Sequence, residues 1–290
     1  MTTTRPRESE RRPRNWRKHR VEPPKAPAVQ IHAHRGGSFL APENTQAAFA
    51  QAVELGVHYL EFDVRRCATG ELVVLHDATL LRTGGVDVAV ADLSLADLQA
   101  VDVGSHFSDR FAGERVPLLV DVLESWRDQV RFNIEIKEDS PEGDGSALAV
   151  GEIIASMDLY ADVILSAFNP FALARARSRC SAPLGLLYPP TGGRGAVGRA
   201  RDVLLRRPWS APLLSTYALH PRHDLVTADL VRRSHSRGLA VNTWTVNEPE
   251  RIRQMASMKV SGIISDRPDL ALEITRSMDP LARKAPGLPA

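Results

Sequence analysis

Cysteine is scarce in this 290-residue chain: Cys67 and Cys180 stand far apart in sequence and no CxxC occurs. A disulfide-stapled small scaffold is therefore excluded. No apolar run approaches the roughly 18 residues that a membrane-spanning helix needs. The first residues are basic but are not followed by an apolar stretch of the length a secretory leader uses, about 7–15 residues. The sequence on these grounds predicts a reduced, cytoplasmic protein. Net charge is also small, +2, with 43% hydrophobic and 25% charged residues. That is the composition of a globular protein, and neither a fibrous repeat nor a mostly disordered chain fits it.

The small total hides an asymmetry. Residues 1–28 carry nine Lys/Arg against three Asp/Glu, together with Pro6, Pro13, Pro23, Pro24 and Pro27, so the rest of the chain sums to −4. A segment so poor in large apolar residues cannot offset its ordering entropy, and residues 1–28 are expected to be a disordered basic tail. Such an arm could touch anionic lipid headgroups loosely, although it lacks an amphipathic apolar face. Nucleic acid is not an expected partner, because the folded part is acidic. Residues 278–290 are expected to form a second disordered tail.

From residue 29 onward, short apolar runs alternate with helical patterns. Strands are expected at 30–34, 58–64, 72–76, 132–136, 163–166, 184–187, 213–216, 240–244 and 262–265. Helices are expected near 43–55, 117–128, 146–157, 170–179, 196–206, 225–237, 248–257 and 268–277. Capping chemistry supports several starts, as at Asn169-Pro170 and Asp266-Arg267-Pro268. Alternation over about 250 residues predicts a parallel sheet, and at this length an α/β barrel of the (β/α)₈ TIM type over 29–277. Nine strand candidates are one too many, and 72–76 or a weaker later run is the surplus. Residues 78–116 fit no regular unit and read as an inserted excursion above the barrel. A doubly wound open sheet is the alternative, but no GxGxxG opens its first βα turn.

Four expected strand ends carry polar groups that an ordinary core avoids: Ile31-His32-Ala33-His34-Arg35-Gly36, Leu60-Glu61-Phe62-Asp63-Val64, Val73-Val74-Leu75-His76-Asp77 and Phe132-Asn133-Ile134-Glu135-Ile136-Lys137. Strand side chains alternate faces, so Glu61 and Asp63 share one face, as do Glu135 and Lys137. In a barrel those faces point inward near the C-terminal rim. Three carboxylates then converge, which is costly unless one is protonated or a cation sits among them. Carboxylate oxygens are hard ligands, so Glu61, Asp63 and Glu135 predict a Mg²⁺ or Ca²⁺ site. His34 and His76 on the same rim can serve as general acid and base near neutral pH. Arg35 offers a fork and Lys137 a point charge for phosphate oxygens. Asp77 either orients His76 or opens the next loop. The other histidines, including His32 and His220, read as structural or solvated. A zinc site built on His34 and His76 leaves the carboxylates, Arg35 and Lys137 unexplained.

The order His34-Arg35-Gly36, Pro42-Glu43-Asn44-Thr45, Glu61-Phe62-Asp63, His76-Asp77 and Glu135-Ile136-Lys137 resembles the glycerophosphodiester phosphodiesterase family, within the PLC-like phosphodiesterase superfamily. The resemblance continues through Ser166-Ala167-Phe168-Asn169, Val241-Asn242-Thr243-Trp244-Thr245-Val246-Asn247 and Gly262-Ile263-Ile264-Ser265-Asp266-Arg267-Pro268, spanning about 29–275. It implies a distorted TIM barrel that hydrolyses glycerophosphodiesters to glycerol 3-phosphate and an alcohol, with Ca²⁺ or Mg²⁺. It implies His34 and His76 as the acid/base pair, Glu61, Asp63 and Glu135 as metal ligands, Arg35 and Lys137 on the phosphate, and Glu43 in support. Trp244 becomes an apolar wall against the glycerol carbons, with Phe168 beside it. A glycerol hydroxyl that attacks phosphorus and gives a cyclic phosphate, later opened by water, is the mechanism so implied. Two departures stand out: Ala68-Thr69-Gly70 replaces a Lys-Asp-Gly turn, and Ser261 replaces an aspartate before Gly262. The nearest alternative is a lysophospholipase D- or sphingomyelinase D-like enzyme, which a long apolar groove beside Trp244 and 78–116 would favour. A non-catalytic barrel would be expected to lack a histidine or a carboxylate of the set, and none is missing.

Overall fold

A computed structural model describes residues 29–188 and 216–278. Eight parallel strands close into a barrel: β1 (Gln30–His34), β2 (Tyr59–Arg66), β6 (Arg131–Ile136), β7 (Val163–Ala167), β8 (Leu184–Leu187), β9 (Ala218–His220), β10 (Ala240–Thr243) and β11 (Gly262–Ser265). Closure is made by β1 pairing with β11 on one side and β2 on the other. An open doubly wound sheet is thereby ruled out. The surplus strand is β3 (Leu72–Val74), which folds back antiparallel on β2 with Val64 opposite Val74. Gly70, at φ +100°, lets the Ala68-Thr69-Gly70 hairpin turn between them.

Strand alternation sorts the barrel into two environments. Ile31, Leu60, Phe62, Phe132, Ile134 and Leu165 point outward and are fully buried under the helices. There Phe62 packs against Phe49 and Phe132, with ring centroids 5.5 and 6.1 Å apart. The covering helices are α1 (Gln46–Leu55), α4 (Leu119–Trp126), α5 (Ser146–Ser156), α6 (Pro170–Arg179), α7 (Ala228–His235), α8 (Pro249–Ser257) and α9 (Pro268–Met278). Thr45 caps α1 by accepting from Ala48 N–H, and Asn169 caps α6 by accepting from Phe171 N–H ahead of Pro170. Ser261 sits at the entrance of β11, where its hydroxyl accepts from Val241 N–H at 3.0 Å and meets His235. It therefore braces the end of the barrel opposite the chemistry.

Two expectations need correction. The strand after β8 is expected at 213–216; the strand that pairs there is β9 at Ala218–His220, while 213–215 lie outside the described residues, as do 1–28, the helix expected at 196–206 and all of the tail expected at 278–290 except Met278, which ends α9. The apolar Leu213-Leu214 pair drew the expectation, whereas the pairing strand places His220, a polar residue, inside the barrel beside Asn242. Residues 78–116 are not irregular either. They hold a ribbon of β4 (Thr79–Leu80) and β5 (Val86–Ala89) and the helices α2 (Leu81–Gly84) and α3 (Leu95–Ala100). These elements are too short for hydrophobic periodicity to register. Leu80, Val90, Leu98 and Val116 give the excursion its own core, closed with Val73 and Leu75 from the β3 arm.

Candidate active site

The chain turns sharply after β1. Arg35 adopts a left-handed φ of +52°, followed by Gly36 and Gly37 at +82° and +92°. A side chain on Gly36 would meet Ala48 Cβ at 2.7 Å, so α1 packs directly on this turn. The turn aims Arg35 at the barrel mouth, where its backbone N–H donates to Glu61 Oε2 at 3.0 Å and its guanidinium to Glu43 at 3.0 Å. Asn44, also left-handed at φ +58°, donates to Asp63 Oδ2 at 3.0 Å.

Pairing registers bring the acids together. Glu61 lies opposite His34 on one side and Asn133 on the other, and Asp63 lies opposite Glu135. One carboxylate oxygen from each of Glu61, Asp63 and Glu135 falls within 4.8 Å of the others, and all three residues are buried. Lys137 leans back over this group, with Nζ 2.9 Å from Asp63 Oδ1 and 2.5 Å from Glu135 Oε1. His34 and His76 line the same cavity, which opens to solvent. Its far wall holds Phe168 and Trp244, packed edge to face at 5.5 Å. The Trp244 indole N–H donates to the His220 carbonyl at 2.7 Å, which fixes the ring. The residues given a role in the sequence analysis thus gather at one barrel mouth, with Glu43 one contact behind Arg35.

The glycerophosphoryl diester phosphodiesterase family model matches residues 34–270, most of the barrel. The chain belongs to this family. It is 34% identical over 249 residues to the glycerophosphodiester phosphodiesterase of Caldanaerobacter subterraneus, covering 85% of this chain and 97% of that protein. The crystal structure of a glycerophosphodiester phosphodiesterase from Thermotoga maritima is similar, with TM-score 0.67 and 27% identity over 86% of this chain and 99% of that one. An Oleispira antarctica phosphodiesterase, solved with its product sn-glycerol-3-phosphate, shares the fold at TM-score 0.71 and 24% identity, over 85% of this chain and 96% of that one. As a family member the chain is a phosphoric diester hydrolase.

Two contacts hold the rings of His34 and His76 in place. Asp266, just past β11, receives His34 Nδ1 at 2.5 Å, and is itself held by Ser38 Oγ and Asn247 Nδ2, each at 2.6 Å. Asp77 meets His76 Nδ1 at 2.6 Å, so it both orients that ring and opens the excursion. Asp266 was legible in sequence only as part of the helix-capping run before α9. Its distance in sequence from His34 is closed by the β1–β11 pairing. Burial opposes charge on His34, but Glu61 and the Asp266 contact outweigh it and raise its pKa. Burial dominates at His76, helped by Lys137 and Arg35, and lowers its pKa despite Asp63 and Asp77. The two imidazoles are thus set apart, which suits one acid and one base.

The acids diverge similarly. Burial, reinforced by Asp63 and Glu135, pushes Glu61 up to about 7, while Lys137 and Arg35 overcome burial at Asp63 and hold it well below the carboxylate range. Glu135 is also raised, by burial and Asp63 against Lys137. Three hard oxygen donors with one carboxyl held near neutrality are short of positive charge, and this donor set fits a divalent hard cation. Among the described lining residues, Phe168, Leu187, Trp244 and Ile264 are apolar and the others charged or polar, so the described residues form no long apolar groove beside Trp244.

Proposed function

We propose that this chain hydrolyses glycerophosphodiesters to glycerol 3-phosphate and an alcohol, in a reaction that needs Mg²⁺ or Ca²⁺. The observation that carries this reading is the convergence of the buried Glu61, Asp63 and Glu135 with His34 and His76 on one open cavity. The names of the relatives support the substrate class, and the product held by the Oleispira protein is the one this reading requires.

In this account Glu61, Asp63 and Glu135 hold the cation, which when bound polarises the phosphodiester oxygens. Arg35 and Lys137 bind the non-bridging oxygens and offset the charge that grows on them. One histidine accepts the proton of the attacking glycerol hydroxyl and the other delivers a proton to the departing alkoxide, which leaves a cyclic phosphate. Water then opens that ring with the two histidines' roles exchanged, so that, net, the elements of water are added across one P–O bond. Asp266 and Asp77 fix the rings so that each Nε2 is free to work, as a carboxylate does for a catalytic imidazole. Glu43 supports the Arg35 side chain, and Trp244 with Phe168 offers the apolar wall for the glycerol carbons. The free, buried thiols of Cys67 and Cys180 suit a reducing, cytoplasmic setting. Among the described residues no helix is long and apolar enough to cross a membrane.

Assays of glycerol 3-phosphate release from glycerophosphocholine and glycerophosphoethanolamine test the reading. Release that needs the metal and is lost in Glu61→Gln is expected. Release unchanged by EDTA would contradict the metal role.

A further inference from the structure

None of the described residues 78–116 lines the cavity, yet the excursion reaches the reactive groups through one side chain. Arg82, in α2, donates Nε to Asp77 Oδ2 at 2.7 Å. Its Nη1 and Nη2 each donate at 2.7 Å to the two oxygens of Glu43. The opposite ends of these carboxylate contacts are reactive residues: Asp77 holds His76 Nδ1 at 2.6 Å, and Glu43 holds the Arg35 guanidinium at 3.0 Å. A single guanidinium therefore ties together the supports of a proton-transfer residue and a phosphate-binding residue.

An exposed ion pair contributes little as a rule, and the Arg82 side chain is 46% exposed. Two features set this one apart. Its three bonds come from a rigid planar fork, which fixes direction as well as charge. Its backbone is also anchored, since Leu80 is fully buried in the excursion core and Gly84 lies so close to Val101 that a Cβ there would fall 2.4 Å from it. The excursion core thus acts as a mount for the guanidinium.

We propose that Arg82 is a positioning residue for phosphodiester hydrolysis, setting His76 through Asp77 and Arg35 through Glu43. The proposal rests on the function given above for those two residues. It assigns the excursion a task other than enclosing an acyl chain. Small displacements of reacting groups carry large rate costs, so loss of the mount is felt in kinetics more than in stability.

Steady-state kinetics on glycerophosphocholine with metal present test this for Arg82→Gln, Asp77→Asn, Glu43→Gln and the two doubles that include Arg82→Gln. Expected is a fall in kcat of about tenfold and a rise in KM of about threefold in Arg82→Gln. The kcat loss should vanish in the Asp77→Asn background and the KM rise in the Glu43→Gln background, because each double removes a link already broken. Fully multiplicative effects, or Arg82→Gln within twofold of wild type, would overturn the proposal. Should Arg82→Gln fail to fold, Arg82→Lys carries the same comparison, since a point charge cannot hold both carboxylates in the fork geometry. A wild-type protein inactive on every glycerophosphodiester would mark failure of the functional reading instead. The ring-nitrogen NMR signals of His76 at one fixed pH then decide: displaced in Arg82→Gln they uphold the link, and unmoved they overturn it.

Discussion

Replacing Asp266 by asparagine keeps its volume, but presents His34 Nδ1 with an amide at the position where Oδ1 also accepts from Ser38 Oγ. An amide that donates there forces the proton onto Nε2, the atom that must face the substrate. The loss from a wrong imidazole tautomer is on the order of 10²–10⁴ in kcat. Asp266→Asn is therefore expected to lose at least a hundredfold in kcat with KM little changed, and Asp266→Glu to recover part of it. Equal kcat for wild type and Asp266→Asn would remove Asp266 from the account. Glu61 carries a second expectation. With its pKa near 7, the carboxyl binds a proton below that pH, and the proton competes with the cation. Calorimetric Mg²⁺ or Ca²⁺ affinity should thus weaken as pH drops from about 8 to 6, with a shallower dependence in Glu61→Gln, where only Glu135 still competes for a proton; affinity that ignores pH would contradict this.

The turn after β1 shows how local geometry supports the site. Gly36→Ala places a Cβ at positive φ against Ala48 and Phe49, and strain of this kind costs about 1–3 kcal/mol. Urea unfolding should show a lowered midpoint, together with a fall in activity because Arg35 and its N–H to Glu61 shift with the turn. An unaltered midpoint would show that the turn absorbs the methyl group. Turns and pairings of this kind also divide what the sequence reveals from what it conceals. Glu61 with Asp63, and Glu135 with Lys137, are readable as inward pairs because strand alternation is a local rule. His34 and His76 are readable because a polar residue ending an apolar run has few structural reasons to be there. The Asp266–His34 and Arg82–Glu43 contacts are not readable, since they depend on which strands close the barrel and where a separate small core sets its helix. The position of β9 escaped for a related reason: its inward His220 breaks the apolar signature by which strands are recognised.

The barrel as a whole encloses a polar layer as well as an apolar shell. His32 and His220 are fully buried inside it, and burial, with the nearby cationic groups in the case of His32, holds both pKa values down, His220 to about 3. Each is neutral in the folded state, while an unfolded histidine binds a proton near pH 6.5. Below that pH the unfolded chain takes up protons that these two rings cannot, so their contribution to stability is full above about 6.5 and is lost as pH falls toward 3. Glu61, Glu135 and His34, whose pKa values are raised, act in the opposite sense, so the contribution is read by comparison with a variant. The change in urea midpoint from pH 7.5 to 5.0 should be less destabilising in His220→Gln than in wild type. Equal changes in the two proteins would contradict this.

The central claim concerns metal-dependent cleavage by this mouth of the barrel, and the most direct measurement is glycerol 3-phosphate release from glycerophosphocholine by wild type, His34→Ala and Glu61→Gln, each with Mg²⁺, Ca²⁺ or EDTA. The account predicts release by wild type with a divalent cation, none with EDTA, and near-complete loss in both variants whichever cation is supplied. Folded wild-type protein that releases nothing with either cation, or variants that keep the wild-type rate, would contradict it.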